Sequence, residues 1–243
     1  MRSRDQPHEV EVDVPPIVHL GFQFTMSLQE ITLPSGPGAM PNDVSALIIE
    51  ANRRAEKFYD AGLGLRYPKY IPSDPKVVHA AIAFLKEEGH LQGDVFCEWG
   101  CGFAIASGIA SLLGMQAYGI EIEDELVDRA TQLMEDLKLP VEILQTDYLP
   151  EGFDESEGVG GKDLILPESR TTRGGVIAPP EYTGLDPDEV DLFFVYPWPD
   201  QEEMMKDLFM AVATQGAVLL MYQGEGEIAA FLYDELDDDL AED

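Results

Sequence analysis

The stretch V-F-C-E-W-G-C-G-F, residues 95–103, decides how the chain is read. A short apolar run of strand character ends in an acid, Glu98, which opens a turn built on Gly100 and Gly102. Glycines there permit a tight reversal and let backbone amides come close to a ligand. Ala104 to Leu113 follows as a buried helix, then A-Y-G-I-E as a second strand ending in Glu121, then a helix from Glu123 to Lys138. In that helix Leu126, Val127, Ala130, Leu133, Met134 and Leu137 form one stripe, and Pro140 stops it. V-E-I-L predicts a third strand, D-L-F-F-V-Y a fourth from Asp191, and G-A-V-L-L-M-Y a fifth from Gly216, with a helix from Asp200 between the last two. Such alternation predicts an α/β fold: a doubly wound, mostly parallel sheet with helices on both faces.

Outward from this core, residues 1–72 read as an N-terminal extension. Val18, Leu20, Phe22, Phe24, Met26 and Leu28 alternate as in a half-buried strand or hairpin. Asp43 then caps a helix whose face is Leu47, Ile48, Ala51, Ala55, Phe58 and Tyr59, ended by Gly62 and Gly64. Y-P-K-Y-I-P-S-D-P is a rigid connector whose last residues start another helix, with Asp74 as cap and Pro75 at its first position. The sheet domain is expected over residues 73–233. Residues 151–190 form a glycine- and proline-rich insertion near the working end of the sheet, with a short strand at D-L-I-L. Residues 234–243 carry seven acids and read as a solvated tail.

The chain has 243 residues, 45% of them hydrophobic, and a mean hydropathy of −0.11, enough apolar material for a filled core. Its 15 Lys and Arg against 47 Asp and Glu leave a net charge of −32. That field repels phosphate backbones and anionic lipid, and no local basic patch offsets it, so nucleic acid and membrane partners are not expected. Salt adaptation and plain solubility both account for the acidity. Cys97 and Cys101, the only cysteines, make neither a disulfide framework nor a four-ligand zinc site. His8, His19, His79 and His90 are too scattered for a metal cluster. The charged, proline-containing start lacks the apolar core of a signal peptide, and the longest apolar run is too short to span a bilayer, so a reducing cytoplasm is the expected location.

Glu98, Gly100 and Gly102 fall at the carboxyl end of the first core strand, where open parallel sheets bind ligands. A dinucleotide fingerprint needs a small residue three after Gly102, and Ile105 stands there, which disfavours nicotinamide. Glu121, at the tip of the second strand, is placed to accept hydrogen bonds from a ribose diol. Asp147, after the third, can accept from an exocyclic adenine amine or simply form a turn. Glycine turn, ribose acid and base acid on three successive strands describe an adenosine-shaped slot.

On these residues the chain, over roughly 94–222, resembles the class I S-adenosylmethionine-dependent methyltransferases, which implies a Rossmann-like fold and S-adenosylmethionine as cofactor. The resemblance implies that Glu98, Trp99, Gly100, Cys101 and Gly102 hold the methionine part, that Glu121 with Ile122 binds ribose, and that Asp147 with Tyr148 meets adenine. It also places the fourth strand tip, V-Y-P-W-P-D, beside the transferable methyl. That motif is loosely similar to those of amino-methylating nucleic-acid enzymes, but Tyr196 stands where Asp or Asn would be expected and no basic cluster follows. Tyr196 and Trp198 are read as an aromatic wall that orients the acceptor, stiffened by Pro197 and Pro199. Tyr70 is a candidate substrate contact. Arg170 and Arg173 are candidate clamps for a substrate carboxylate or phosphate, with surface ion pairing as their alternative role. Asp200 reads as a helix cap with Glu203 in capping-box spacing. The family's last two strands lack room before the tail, so the N-terminal alternating segment is expected to fill that sheet edge. The expected activity is methyl transfer to a small-molecule or protein acceptor, the alternative being a non-catalytic nucleoside-binding or scaffold protein.

Overall fold

The computed structural model describes residues 26–34, 36, 38–149, 154–158, 161–165, 182 and 184–235. Most of the N-terminal alternating segment, Arg170, Arg173 and residues 236–243 lie outside them.

A seven-stranded sheet organises the molecule. Its parallel core is β2 (Val95–Trp99), β3 (Gln116–Glu121), β4 (Val141–Gln145), β7 (Leu192–Val195) and β8 (Val218–Gly224). Two antiparallel strands, β9 (Glu227–Glu235) and β1 (Met26–Ile31), complete the order β1-β9-β8-β7-β2-β3-β4. The winding direction reverses between β2 and β7, which opens a crevice at their carboxyl ends. The fold is therefore the expected Rossmann-like α/β arrangement.

Alternation along the strands divides the apolar residues between two faces. Phe96, Leu192, Phe194, Val218 and Leu220 pack under α1 (Asn42–Asp60), α3 (Pro75–Glu87), α4 (Ile105–Leu112) and α5 (Asp124–Leu137). Cys97, Trp99, Phe193, Val195, Leu219 and Met221 face the other way, onto α6 (Glu202–Val212) and the side chains of Tyr182, Leu185 and Val190. Strands buried on both sides need near-continuous hydrophobic runs, which is why L-F-F-V and V-L-L-M-Y carry no alternation of polarity. α5 buries its expected stripe, Leu126, Ala130, Leu133 and Met134. At α3 the Asp74 side chain accepts from the Lys76 amide at 2.9 Å and Pro75 occupies the first turn, as the sequence implied. No helix among the described residues is long and apolar enough to cross a membrane.

Four local expectations are revised. Pro41, not Asp43, precedes α1; its carbonyl accepts from the Ser45 amide at 3.0 Å, while Asp43 sits in the first turn against the positive end of the helix. The chain does not leave helix at Gly64 but makes a further turn, α2 (Leu63–Arg66). Asp200 is not a helix cap: it adopts φ +68 and Gln201 precedes α6. The sheet edge does have room. Gly224, Glu225 and Gly226 take φ of +93, +50 and +85, folding β8 straight back into β9, so Asp234 and Glu235 are strand residues paired with Ser27 and Met26 rather than tail. The end of the N-terminal alternation thus joins the sheet through β1, outside β9. Within the insertion, β6 (Gly161–Ile165) includes D-L-I and pairs antiparallel with β5 (Asp154–Gly158) in a separate two-stranded sheet.

Candidate functional site

The carboxyl ends of β2, β3, β4 and β7 converge on a cavity of about 520 Å³, within the ~300–1,000 Å³ range of small-molecule sites. Glu98 through Gly102, Glu121, Ile122, Asp147, Tyr148, Tyr196, Pro197 and Trp198 all line it, and Tyr70 joins them from residues 66–73, which form its lip. The side chains nominated from sequence, apart from Arg170 and Arg173, thus meet in one place.

Glu98 ends the apolar run of β2 and is only 6% exposed. Its side chain folds back onto the first turn of α4, where Oε2 accepts from the Ser107 amide at 2.8 Å and lies 2.7 Å from Ser107 Oγ. Ser107 Oγ is also 3.1 Å from the Tyr118 carbonyl. A hydroxyl has one proton, so it cannot donate to a carboxylate and a carbonyl together. Its single proton goes to the nearer acceptor, Glu98 Oε2. Burial pushes the Glu98 carboxyl up to about 7. The Ser107 donors and the Ala106 amide pull it down, and neighbouring Glu121 adds to the rise.

Glu121 is 7% exposed and fastens the glycine turn to the next crossover. Oε2 accepts from the Gly102 amide at 2.9 Å; Oε1 accepts from the amides of Ile122 and Glu123 at 2.9 and 3.0 Å. Oε1 has both lone pairs engaged and Oε2 has one left for a ligand. The turn itself is left-handed at alternate residues, with φ of +69 at Gly100, +54 at Gly102 and +56 at Ala104. A side chain at Gly100 would meet open space, whereas a Cβ at Gly102 would lie 2.6 Å from the Tyr70 ring. Gly102 is thus required by both backbone conformation and close approach.

Tyr70 is stacked on Phe103 with ring centroids 4.7 Å apart, and its carbonyl accepts from the Tyr59 hydroxyl at 3.1 Å. Its own hydroxyl is buried without a partner among the described residues, and burial pushes the phenol above its usual range, so it remains a donor. A buried donor lacking an acceptor costs ~1–3 kcal/mol, and Tyr70 is a residue of the cavity lining, which suits this hydroxyl to a polar ligand group. The residues therefore suit an adenosine-type cofactor with an amino-acid arm: an orphan donor, open backbone at Gly100, and acids at two strand tips.

Other nominated residues behave differently. The Trp99 ring packs in the core, 5.0 Å from Phe193 and 6.3 Å from Tyr148. Asp147 is exposed and its Oδ1 closes a turn onto the Leu149 amide at 2.9 Å. Tyr196 leans edge-on against Tyr222, centroids 4.8 Å apart. Trp198 is 39% exposed at the rim. Cys97 and Cys101 are buried free thiols, both pushed up by burial. Among the described residues no group of three His, Cys, Asp or Glu side chains could hold a metal. Sequence reasoning missed Ser107, which reads as a polar interruption of an apolar helix, and Arg66 and Lys69, which sit in what reads as a connector; the tyrosines around them were the available signal.

No family model and no curated protein sequence matches the chain. Among solved structures it is similar to an RNA methyltransferase from Salinibacter ruber in complex with S-adenosyl-L-homocysteine, at 17% identity and a TM-score of 0.45, over 71% of this chain and 100% of that one. It is also similar to magnesium protoporphyrin IX methyltransferase from Synechocystis PCC 6803 with bound SAM, at 14% identity and 0.42, over 82% and 99%. A third is an S-adenosylmethionine-dependent methyltransferase from Clostridium acetobutylicum, at 13% and 0.41, over 69% of this chain and 56% of that one. These are distant likenesses of backbone course.

Proposed function

We propose that the cavity binds S-adenosylmethionine and that the chain transfers its methyl group to a small-molecule or protein acceptor. The observation that carries this reading is the meeting of the glycine turn, Glu121 and the fourth strand tip on one cavity at the switch point of the sheet. When bound, the cofactor supplies an electrophilic methyl on a sulfonium. Glu121 accepts from the ribose diol with the lone pair that Gly102 leaves on Oε2. Glu98, ionised by a neighbouring ammonium, answers the cationic amino-acid end, while the Tyr70 hydroxyl donates to its carboxylate. In-line methyl transfer needs alignment more than acid–base chemistry, and the aromatic wall of Tyr196 and Trp198 provides a surface against which an acceptor is oriented.

Calorimetry with S-adenosylhomocysteine tests the reading. Binding is expected, and it should tighten as pH rises through about 7, because the ligand's ammonium favours the ionised form of Glu98. Glu121→Gln should weaken it roughly tenfold to a hundredfold through the lost charge-assisted hydrogen bond to ribose. No binding between about pH 5 and about pH 9 (roughly two pH units to either side of the Glu98 value) overturns the assignment.

A further inference from the structure

The lip of the cavity differs in chemistry from the rest of this acidic surface. Arg66 and Lys69 both line the cavity, both are exposed, and neither forms an ion pair among the described residues. Acids outnumber bases 47 to 15 in the chain, so partners for a cation are plentiful. Arg66 instead lies over the Tyr67 ring, its guanidinium carbon 5.2 Å from the centroid, a contact that holds it without neutralising it. Large apolar side chains gather at the same rim. Of the exposed large hydrophobic residues, Ile71 (53%), Ile122 (59%) and Trp198 (39%) line the cavity, and Leu65 (91%) adjoins Arg66 in the chain. Exposed apolar surface beside an unneutralised charge marks a binding surface rather than a solvated one. The lip is also anchored: the Tyr70 amide donates to the Tyr67 carbonyl at 3.1 Å, and the Tyr70 ring abuts Gly102.

Resting on the methyl-transfer reading, we propose that the acceptor is a small amphipathic anion, with a carboxylate or similar group held by Arg66 and Lys69 and an apolar body laid against Ile71 and Trp198. Two cations match one or two negative charges. A polyanion would meet the field of a chain carrying −32, and that repulsion grows with every phosphate added. The cofactor's own carboxylate is a second source of negative charge, but a polar amino-acid arm has no use for the apolar rim.

The test is calorimetry on the full chain saturated with S-adenosylhomocysteine, titrated with 4-phenylbutyrate, indole-3-butyrate and the corresponding neutral amides. At least one acid should bind about tenfold more tightly than its amide, the scale of one charge-assisted hydrogen bond at a partly exposed site. The R66Q/K69Q double variant should abolish that preference and leave the affinities for S-adenosylhomocysteine and 5′-methylthioadenosine unchanged. Both substitutions are on exposed side chains, and R66Q alone serves if the double variant misfolds. Absence of acid binding, equal binding of acid and amide, or an acid preference that survives the double variant overturns the proposal. So does a double variant that loses S-adenosylhomocysteine but keeps 5′-methylthioadenosine, which would give the cations to the cofactor's carboxylate. Displacement of the acid by a single-stranded oligonucleotide or by phosphatidylglycerol vesicles overturns it in favour of a polyanionic partner. If neither nucleoside binds while the acid preference persists and falls with the double variant, the cofactor reading fails and the anion site stands.

Discussion

The two ends of the cavity are built in opposite ways. At the glycine corner, Glu98 and Glu121 are buried and each accepts several short hydrogen bonds, and a tyrosine ring presses on Gly102. At the lip, Arg66, Lys69, Ile71 and Trp198 are exposed. The corner is preorganised, so substitutions there disturb folding and binding together. The exposed side chains of the lip contribute little to the fold, so they can vary at small cost to stability. Rigid scaffolds that carry variable, exposed recognition residues are the general pattern for this kind of division.

The largest expected break in this contrast is Gly102→Ala. It adds a Cβ where the Tyr70 ring stands 2.6 Å away and forces φ +54 on a residue with a side chain. Overpacking and left-handed backbone together should cost about 3 kcal/mol, read as a lower urea midpoint with unchanged slope, and S-adenosylhomocysteine binding should be lost as well.

Next is the pH response of Glu98. Its folded value, about 7, lies above the ordinary 4.5. The fold therefore favours the proton and penalises the charge; the penalty is full above about pH 7 and is relieved as pH falls toward 4.5. Glu98→Gln has no charge to bury, so relative to the parent it should gain stability as pH rises, by about 2 to 3 kcal/mol between about pH 5 and about pH 8. Parallel denaturation curves across pH check this; a difference that does not change with pH would show that Glu98 is not neutral in the fold.

Glu121→Ala removes the acceptor of three amides, at about 2 kcal/mol if water replaces it incompletely. Amide exchange at Gly102, Ile122 and Glu123 should quicken accordingly. Smallest is the lip: R66Q/K69Q should move stability by no more than ~0.5 kcal/mol, as surface substitutions away from buried contacts do. A large loss there would erase the distinction between the two ends.

Much of this contrast was legible in the chain. Period and punctuation around residues 95–145 predicted parallel strands and crossover helices, and the strand tips named Glu98, Glu121 and Asp147 as neighbours. Less legible were features in which local signals compete. Asp200 and Glu203 have capping-box spacing, yet Asp200 is left-handed and Gln201 precedes α6. The G-E-G turn at residues 224–226 reads as loop, and only pairing with β8 and β1 makes strand of the acids that follow.

What the sequence determined by itself was the order of strands and helices, because apolar period and glycine or proline punctuation act over a few residues. What tertiary structure decided was the state of each polar group. Ser107 becomes the partner of Glu98 across nine residues, Gly102 that of Glu121 across nineteen, and Arg66 and Lys69 come to face the cavity through a lip anchored by Tyr70. Hydrogen bonding and desolvation depend on atoms brought together from distant segments, and only the closed fold sets those distances.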